Sequence, residues 1–262
     1  EFYHVLKQAT ERRTTDGSTI GMGLSGGLDS RTQLGLTPEA SHPIHTFSFG
    51  SPGCGDMRVG ALLAGEFKAV HHPLEFQARD FAESIDEICK KTSCEAGLYF
   101  YHIFASGKIK RDFAQIELSG TGGDVWTGQW SNFSGLNPDS AKKFTTGAER
   151  DKLFEVMFKR IVRGGVTDDD ASFYTPSFVG KVKNSLKEEL RSSFNDIKTQ
   201  YLQNIILQLK VRQYERKFTL PGINIYGKFV KVKYPIYDYD VSDFLLSTPP
   251  KLRFNQYLYK ET

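Results

Sequence analysis

The sequence predicts an α/β fold, a parallel sheet with helices on both faces, followed by a mainly helical C-terminal part. Three observations carry that expectation. Residues Ile20-Gly21-Met22-Gly23-Leu24 form a short strand-like run that empties into the loop Ser25-Gly26-Gly27-Leu28-Asp29-Ser30, and a helical pattern opens at Arg31. A second run, Ala114-Gln115-Ile116-Glu117-Leu118, empties into Ser119-Gly120-Thr121-Gly122-Gly123-Asp124. Beyond Gly135, apolar residues recur at helical spacing. With 262 residues, 39% of them hydrophobic, the chain carries enough apolar side chain to cover a parallel sheet on both faces.

Composition narrows the class further. The formal charge of +3 is small beside 34 basic and 31 acidic residues, so nothing supports a nucleic-acid partner or another polyanion. Cys54, Cys89 and Cys94 are odd in number and contain no Cys-x-x-Cys pair, which suggests neither a disulfide framework nor a zinc site and fits a reducing, cytoplasmic compartment. No apolar run reaches the roughly 18 residues of a membrane span, and Glu1-Phe2-Tyr3-His4 is not a secretion signal. The first residue is not Met, as expected of a piece of a longer protein.

Taken in order, Phe2, Val5 and Leu6 belong to an amphipathic helix running into Arg12-Arg13, and Thr15-Asp16-Gly17 is a turn. After the first loop and helix, Ile44 to Phe49 reads as a second parallel strand, ending in Gly50-Ser51-Pro52-Gly53. Asp56 precedes a helical face from Met57 to Phe67, and Ala69 to Leu74 is a third strand. Its His71 and His72 point to opposite faces of a strand, which argues against a shared metal ion. Helices are expected over Gln77–Lys91 and Gly97–Arg111, with Glu95 at their junction. The second half reads as helices at about Glu149–Val162, Ser177–Arg191 and Asn195–Arg216. Basic residues concentrate between Lys210 and Lys233, as a solvated face or one turned toward a substrate or phosphate.

The first loop has the makings of a phosphate cradle. Adjacent glycines let backbone N–H groups converge on one anion, and the following helix adds its unpaired first-turn amides and positive dipole end. Ser25 and Ser30 add hydroxyls, and an acid at position 29 suits a divalent cation bridging it to phosphate. The second loop repeats the pairing of glycines with an acid, so that Asp29 and Asp124 would share a Mg²⁺.

The first loop resembles the Ser-Gly-Gly-x-Asp-Ser loop of the ATP pyrophosphatases. Leu24 to Ser30, Thr46-Phe47-Ser48, Asp56, His71-His72 and Leu118 to Asp124 occur in the order and approximate spacing of the synthetase domain of asparagine synthetases and their amide-cyclising relatives. The resemblance implies an adenine-nucleotide α-hydrolase-like fold, with a nucleotide-binding core over 1–134 and a helical portion of the same domain over 135–262. It also implies ATP and Mg²⁺, a small-molecule carboxylate, and either a glutaminase domain or subunit as ammonia source, with this chain the synthetase part of a larger protein, or the use of free ammonia or another amine.

Carried over residue by residue, Leu24, Ser25, Gly26, Gly27, Asp29, Ser30, Phe49, Ser119 and Gly120 would bind the nucleotide. Asp29 and Asp124 would hold the metal. Lys260, with Lys251 as rival, would be the family lysine of the amide-forming step, and Asp238 in Tyr234 to Tyr239 would be structural, holding the helical half against the sheet. At position 121 the synthetases carry an acid and the β-lactam-forming relatives a tyrosine. Thr121 is no base at neutral pH, so either another residue such as Glu95 serves or the acceptor chemistry differs. Arg31 also departs from the small residue common there, and would meet a substrate carboxylate or a neighbouring acid. A nucleotide-binding module without catalysis is the reading from another class.

Overall fold

A computed structural model describes residues 1–39, 43–93, 100–128, 146–161, 172 and 174–261. Five strands are joined in one parallel sheet: β1 (Ile20–Gly23), β2 (His45–Gly50), β3 (Val70–Glu75), β4 (Ile116–Leu118) and β5 (Lys231–Lys233). Their order is β3-β2-β1-β4-β5. From β1 the chain steps outward to β2 and β3, then crosses back to place β4 on the other side of β1. The direction of winding therefore reverses between β1 and β4, and in open α/β sheets that reversal opens a crevice at the carboxyl ends of the two strands.

Alternation along β1 explains how it sits. Ile20, Met22 and Leu24 share one face and are buried with Leu34 of α2 (Leu28–Leu36), Ala64 of α3 (Gly55–Glu66), Ile44, Ile116 and Leu118. The opposite face carries only glycines. A side chain at Gly21 would put its Cβ 2.8 Å from that of Ala114 and 3.5 Å from the Phe47 ring, so close packing there requires its absence. Helices α4 (Ala78–Thr92) and α5 (Tyr101–Lys110) contribute Ile88, Ile103 and Phe104 to a second cluster completed by Ile225, Tyr226 and Val230. Helices thus cover both faces, as the sequence implies.

The chain is not divided once along its length. One compact unit comprises 1–124, 216–247 and 260–262, and a second comprises 125–215 and 248–259. The first includes β5, a strand hidden in the basic stretch before Tyr234. Lys233 there is no phosphate-facing cation: its Nζ donates to Asp16 Oδ2 at 2.6 Å and to the Arg13 carbonyl at 2.7 Å. The same contact is the first cause of the lowered pKa of Asp16.

Helix α1 (Phe2–Thr14) is fastened to the same region. Asp238 accepts from Arg12 and Arg13, both at 2.6 Å, and from its own neighbour Asp240 N–H at 3.0 Å. Burial raises the Asp238 carboxyl, but these donors, Arg13 foremost, carry it below its ordinary value. Phe2 stacks on Phe244 at 5.6 Å. Asp238 is structural, then, but the partner it holds is the N-terminal helix.

The second unit is built by α6 (Gly147–Ile161), α7 (Pro176–Asn195) and α8 (Leu202–Lys210) around Phe154, Met157, Phe194, Leu202, Ile205 and Leu209. The pattern over Asn195–Arg216 is not one helix. The chain turns after Asn195, resumes helix at Leu202 and widens into π-turns over Val211–Thr219. Arg150 makes the turn affordable, donating to the carbonyls of Phe194, Ile197 and Thr199 at 3.0–3.3 Å, where the end of α7 leaves acceptors unpaired.

Candidate active site at the β1–β4 crevice

Parallel pairing continues one residue past β1, since Leu24 N–H donates to the Phe47 carbonyl at 2.8 Å. The Leu24 carbonyl accepts from the Ser48 hydroxyl. This fixes the last residue before the loop to β2. Helix α3 closes on the same point through Gly60, where a Cβ would stand 2.6 Å from Leu24 O.

Gly26 is glycine for two reasons. Its φ of +75° lies in the left-handed region, and a Cβ there would meet Val59 of α3, 2.8 Å from the Val59 Cβ. Gly27 caps α2 with extended backbone; its N–H donates to Ser25 Oγ at 3.3 Å, and Ser30 Oγ donates to its carbonyl at 3.2 Å. The helix starts at Leu28 rather than at Arg31, because Gly27 already accepts the first helical bond from Arg31 N–H at 3.1 Å. Asp29 and Ser30 therefore lie in the first turn of α2. The Arg31 guanidinium folds back and donates to the Gly26 carbonyl at 2.8 Å, and no acid among the described residues forms an ion pair with it.

The second loop packs directly on the first. A Cβ at Gly120 would stand 2.9 Å from the Asp29 carbonyl oxygen and 3.2 Å from its Cβ; one at Gly123 would stand 2.6 Å from the Asp29 Cγ. Asp29 Oδ1 is buried there. Gly122 has φ +95°, and a Cβ on it would strike the Tyr237 ring at 2.7 Å. Ser119 N–H bonds the Lys233 carbonyl at 2.9 Å, while its hydroxyl donates to Thr121 Oγ1 at 2.8 Å and accepts Thr121 N–H at 3.2 Å. Asp124 follows Gly123 in the first turn of a short helical segment, Gly123–Trp126, one residue along the chain from the contact with Asp29.

The arrangement suits a phosphate: a loop that Gly26, at φ +75° and packed against Val59, holds in a left-handed turn, followed by the amino end of α2. Two carboxylates of adjacent loops suit a divalent cation whose remaining ligands are phosphate oxygens and water. Among the described residues no group of three or more His, Cys, Asp and Glu is placed to hold a metal by itself.

Other expected residues are distributed as follows. Phe49 pairs with Leu74 in the ladder, and its ring is engaged by His102 at 4.7 Å and Phe76 at 6.1 Å. Lys260 ends the turn Tyr257–Lys260, is exposed and groups with the first unit, whereas Lys251 groups with the second. Glu95 lies outside the described residues. His71 and His72 face apart, His71 Nδ1 bonding Thr46 Oγ1 at 2.9 Å and His72 Nε2 bonding His45 Nδ1 at 3.0 Å.

A further pair escapes sequence reading. Lys110 and Glu117, both buried, meet at 2.7 Å, and Glu117 Oε1 accepts Gly23 N–H at 3.2 Å. The available signal was an acid inside an otherwise apolar strand, seven residues after a lysine.

The family model described as asparagine synthase matches residues 1–215. A putative glutamine-hydrolysing asparagine synthetase 2 of Methanocaldococcus jannaschii is 33% identical over 144 residues, 53% of this chain and 28% of that protein. Asparagine synthetase B of Escherichia coli is 26% identical over 51% of this chain and 27% of its own length. The alignments thus span little more than a quarter of these relatives. Among solved structures, the NMN synthetase of Francisella tularensis is similar with a TM-score of 0.40 and 15% identity, over 83% of this chain and 95% of that one. With residues 1–215 matched, the chain belongs to the asparagine synthase family.

Proposed function

We propose that this chain is the ATP-using part of an amide-forming ligase, which joins a carboxylate to AMP with release of pyrophosphate and passes the acyl group to ammonia or an amine. The observation that carries the reading is the contact between the two glycine loops, with Asp29 of the first lying against Gly120 and Gly123 of the second at the mouth of the β1–β4 crevice. Family membership supports it.

In this reading Gly26, Gly27, Ser25, Ser30 and the first-turn amides of α2 hold the phosphates that leave as pyrophosphate. Backbone at Leu24, Phe49, Ser119 and Gly120 holds the adenosine part. Asp29 and Asp124 would hold Mg²⁺, which would offset charge on the leaving group. Lys260 would offset negative charge when the amine adds. The glutamine-hydrolysing relatives support a glutaminase domain or subunit as ammonia source, and the 1–134 core and the 135–262 portion, which is mainly helical but returns β5 to the sheet, would belong to one synthetase domain.

A specialised carboxylate or amine is the second reading, favoured by Thr121, whose hydroxyl is bonded to Ser119 and offers no base. A panel of carboxylates and amines, scored for AMP, separates the two. Turnover confined to aspartate and ammonia would sink the specialised reading; AMP formed only with other pairs would establish it. Mg-ATP binding with no AMP for any pair would leave a binding module.

A further inference from the structure

Between β1 and β4 the strand pairing takes in Ile20 with Ile116 and Gly21 with Glu117. Two residues farther along β1, Gly23 N–H donates into this crevice, and its acceptor is the Glu117 side chain, Oε1 at 3.2 Å. The other carboxylate oxygen takes Lys110 Nζ at 2.7 Å. Lys110 is fully buried and Glu117 is 3% exposed. The ammonium lies 4.0 Å from the centre of the Tyr226 ring and 5.1 Å from that of Phe47, and the Tyr226 hydroxyl bonds Ser106 Oγ at 2.8 Å.

Burial pulls both charged groups toward neutrality. For Lys110 the facing carboxylate, with Tyr226, outweighs that pull and its pKa is raised. A pair of this kind is a poor means of stabilising a fold, because two apolar side chains of the same volume would serve as well without desolvating two charges. What apolar side chains cannot do is accept Gly23 N–H. Gly23 is followed by Leu24, whose N–H and carbonyl are bonded to Phe47 and Ser48 of β2, and then by Ser25 and Gly26 of the loop.

We propose that Glu117, held in place by Lys110, is a positioning residue for the phosphate loop: its carboxylate anchors the backbone at Gly23 on the β4 side, opposite the β2 anchor at Leu24, and so sets where Ser25 and Gly26 present their amides. Only the consequence for nucleotide affinity rests on the function proposed above. The anchoring itself does not.

The test uses the K110M/E117L protein, which loses both charges together and keeps apolar volume, and E117Q, which keeps an acceptor, each beside wild type. Amide hydrogen exchange is followed over Gly23–Gly27 and over His45–Gly50, with no nucleotide present, and Mg-ATP is then titrated. The double variant is expected to exchange about ten-fold faster over Gly23–Gly27 than wild type with β2 unchanged, as one lost charge-assisted hydrogen bond implies, and to bind Mg-ATP about ten-fold more weakly. E117Q is expected to fall between.

Uniformly faster exchange across both segments, or unchanged exchange at Gly23–Gly27 in both variants, would overturn the anchoring. Localised loosening with unaltered Mg-ATP affinity would overturn its role in nucleotide positioning. Should the double variant fail to fold, E117Q decides by the same criteria. Wild type that does not bind Mg-ATP would refute the proposed function, while the exchange data would still decide the anchoring.

Discussion

Asp29 and Gly123 are 94 residues apart in sequence and in contact in the fold: a single methyl on Gly123 would stand 2.6 Å from the Asp29 Cγ. The two loops at the crevice therefore cannot move independently, and glycine at 123 is a requirement of Asp29's position. G123A is expected to displace the Asp29 carboxylate and weaken Mg-ATP binding at least about ten-fold, equivalent to losing one good polar contact. A titration of Mg-ATP against wild type and G123A reads this directly. Equal affinities would mean the Asp29 carboxylate plays no part in binding.

Arg31 makes a smaller, directional prediction. Its bond to the Gly26 carbonyl is solvent-exposed, and exposed charged contacts contribute little, so R31M should change Mg-ATP affinity by no more than about three-fold. A far larger loss, or a loss confined to the carboxylate substrate, would show that Arg31 also contacts ligand.

Asp238 predicts stability instead of affinity. Asp238→Asn leaves Arg12 and Arg13 facing a neutral amide and should cost about 1–2 kcal/mol, toward the lower end because Arg12 is half exposed. Urea unfolding of wild type and D238N measures it. The loss should shrink below the ordinary carboxylate range: Asp238 has a lowered folded pKa, so its contribution is present above the unfolded value of 3.8 and disappears as the pH falls through the folded one.

The histidine cluster sets a different pH window. Burial lowers the pKa of His45, His71 and His72 below 6.5, and for His72 the two neighbouring imidazoles add to it. Below 6.5 the unfolded chain takes up these protons before the folded one does. Stability is therefore full above 6.5 and falls as the pH drops through the lowered folded values. Replacing His72 with Phe, which can keep the stacks with Phe47 at 4.7 Å and Phe113 at 4.2 Å, should flatten this decline. Melting temperatures at a series of pH values between neutral and mildly acidic test the slope; an unchanged slope in H72F would assign it elsewhere.

Much of the first unit was legible because its signals are local. The strand-glycine-helix order of 20–36 and the alternation of Ile20, Met22 and Leu24 need no distant partner to be read. The start of α2 is not legible in sequence, because a helix-capping glycine looks like any other loop glycine until its carbonyl is seen accepting from Arg31. The fifth strand is illegible for a different reason: Lys231-Val232-Lys233 has no apolar run, and only its pairing with Ile116 to Leu118 makes it a strand. At the site, the glycines and acids stood out in sequence, but the Gly23–Glu117–Lys110 connection did not, since long-range hydrogen bonds leave no period or motif. The turn between α7 and α8 was likewise invisible, because the side chain that permits it, Arg150, lies 44 residues before Phe194.

In the function proposed above, these loops bind Mg-ATP and direct cleavage between its α- and β-phosphates. The most direct measurement is the identity of the products released from Mg-ATP with a carboxylate and ammonia, for wild type and Asp29→Asn side by side. The account predicts AMP and pyrophosphate in equal amounts from wild type and loss of both in D29N. ADP and phosphate from wild type, or AMP formation undiminished in D29N, would contradict it.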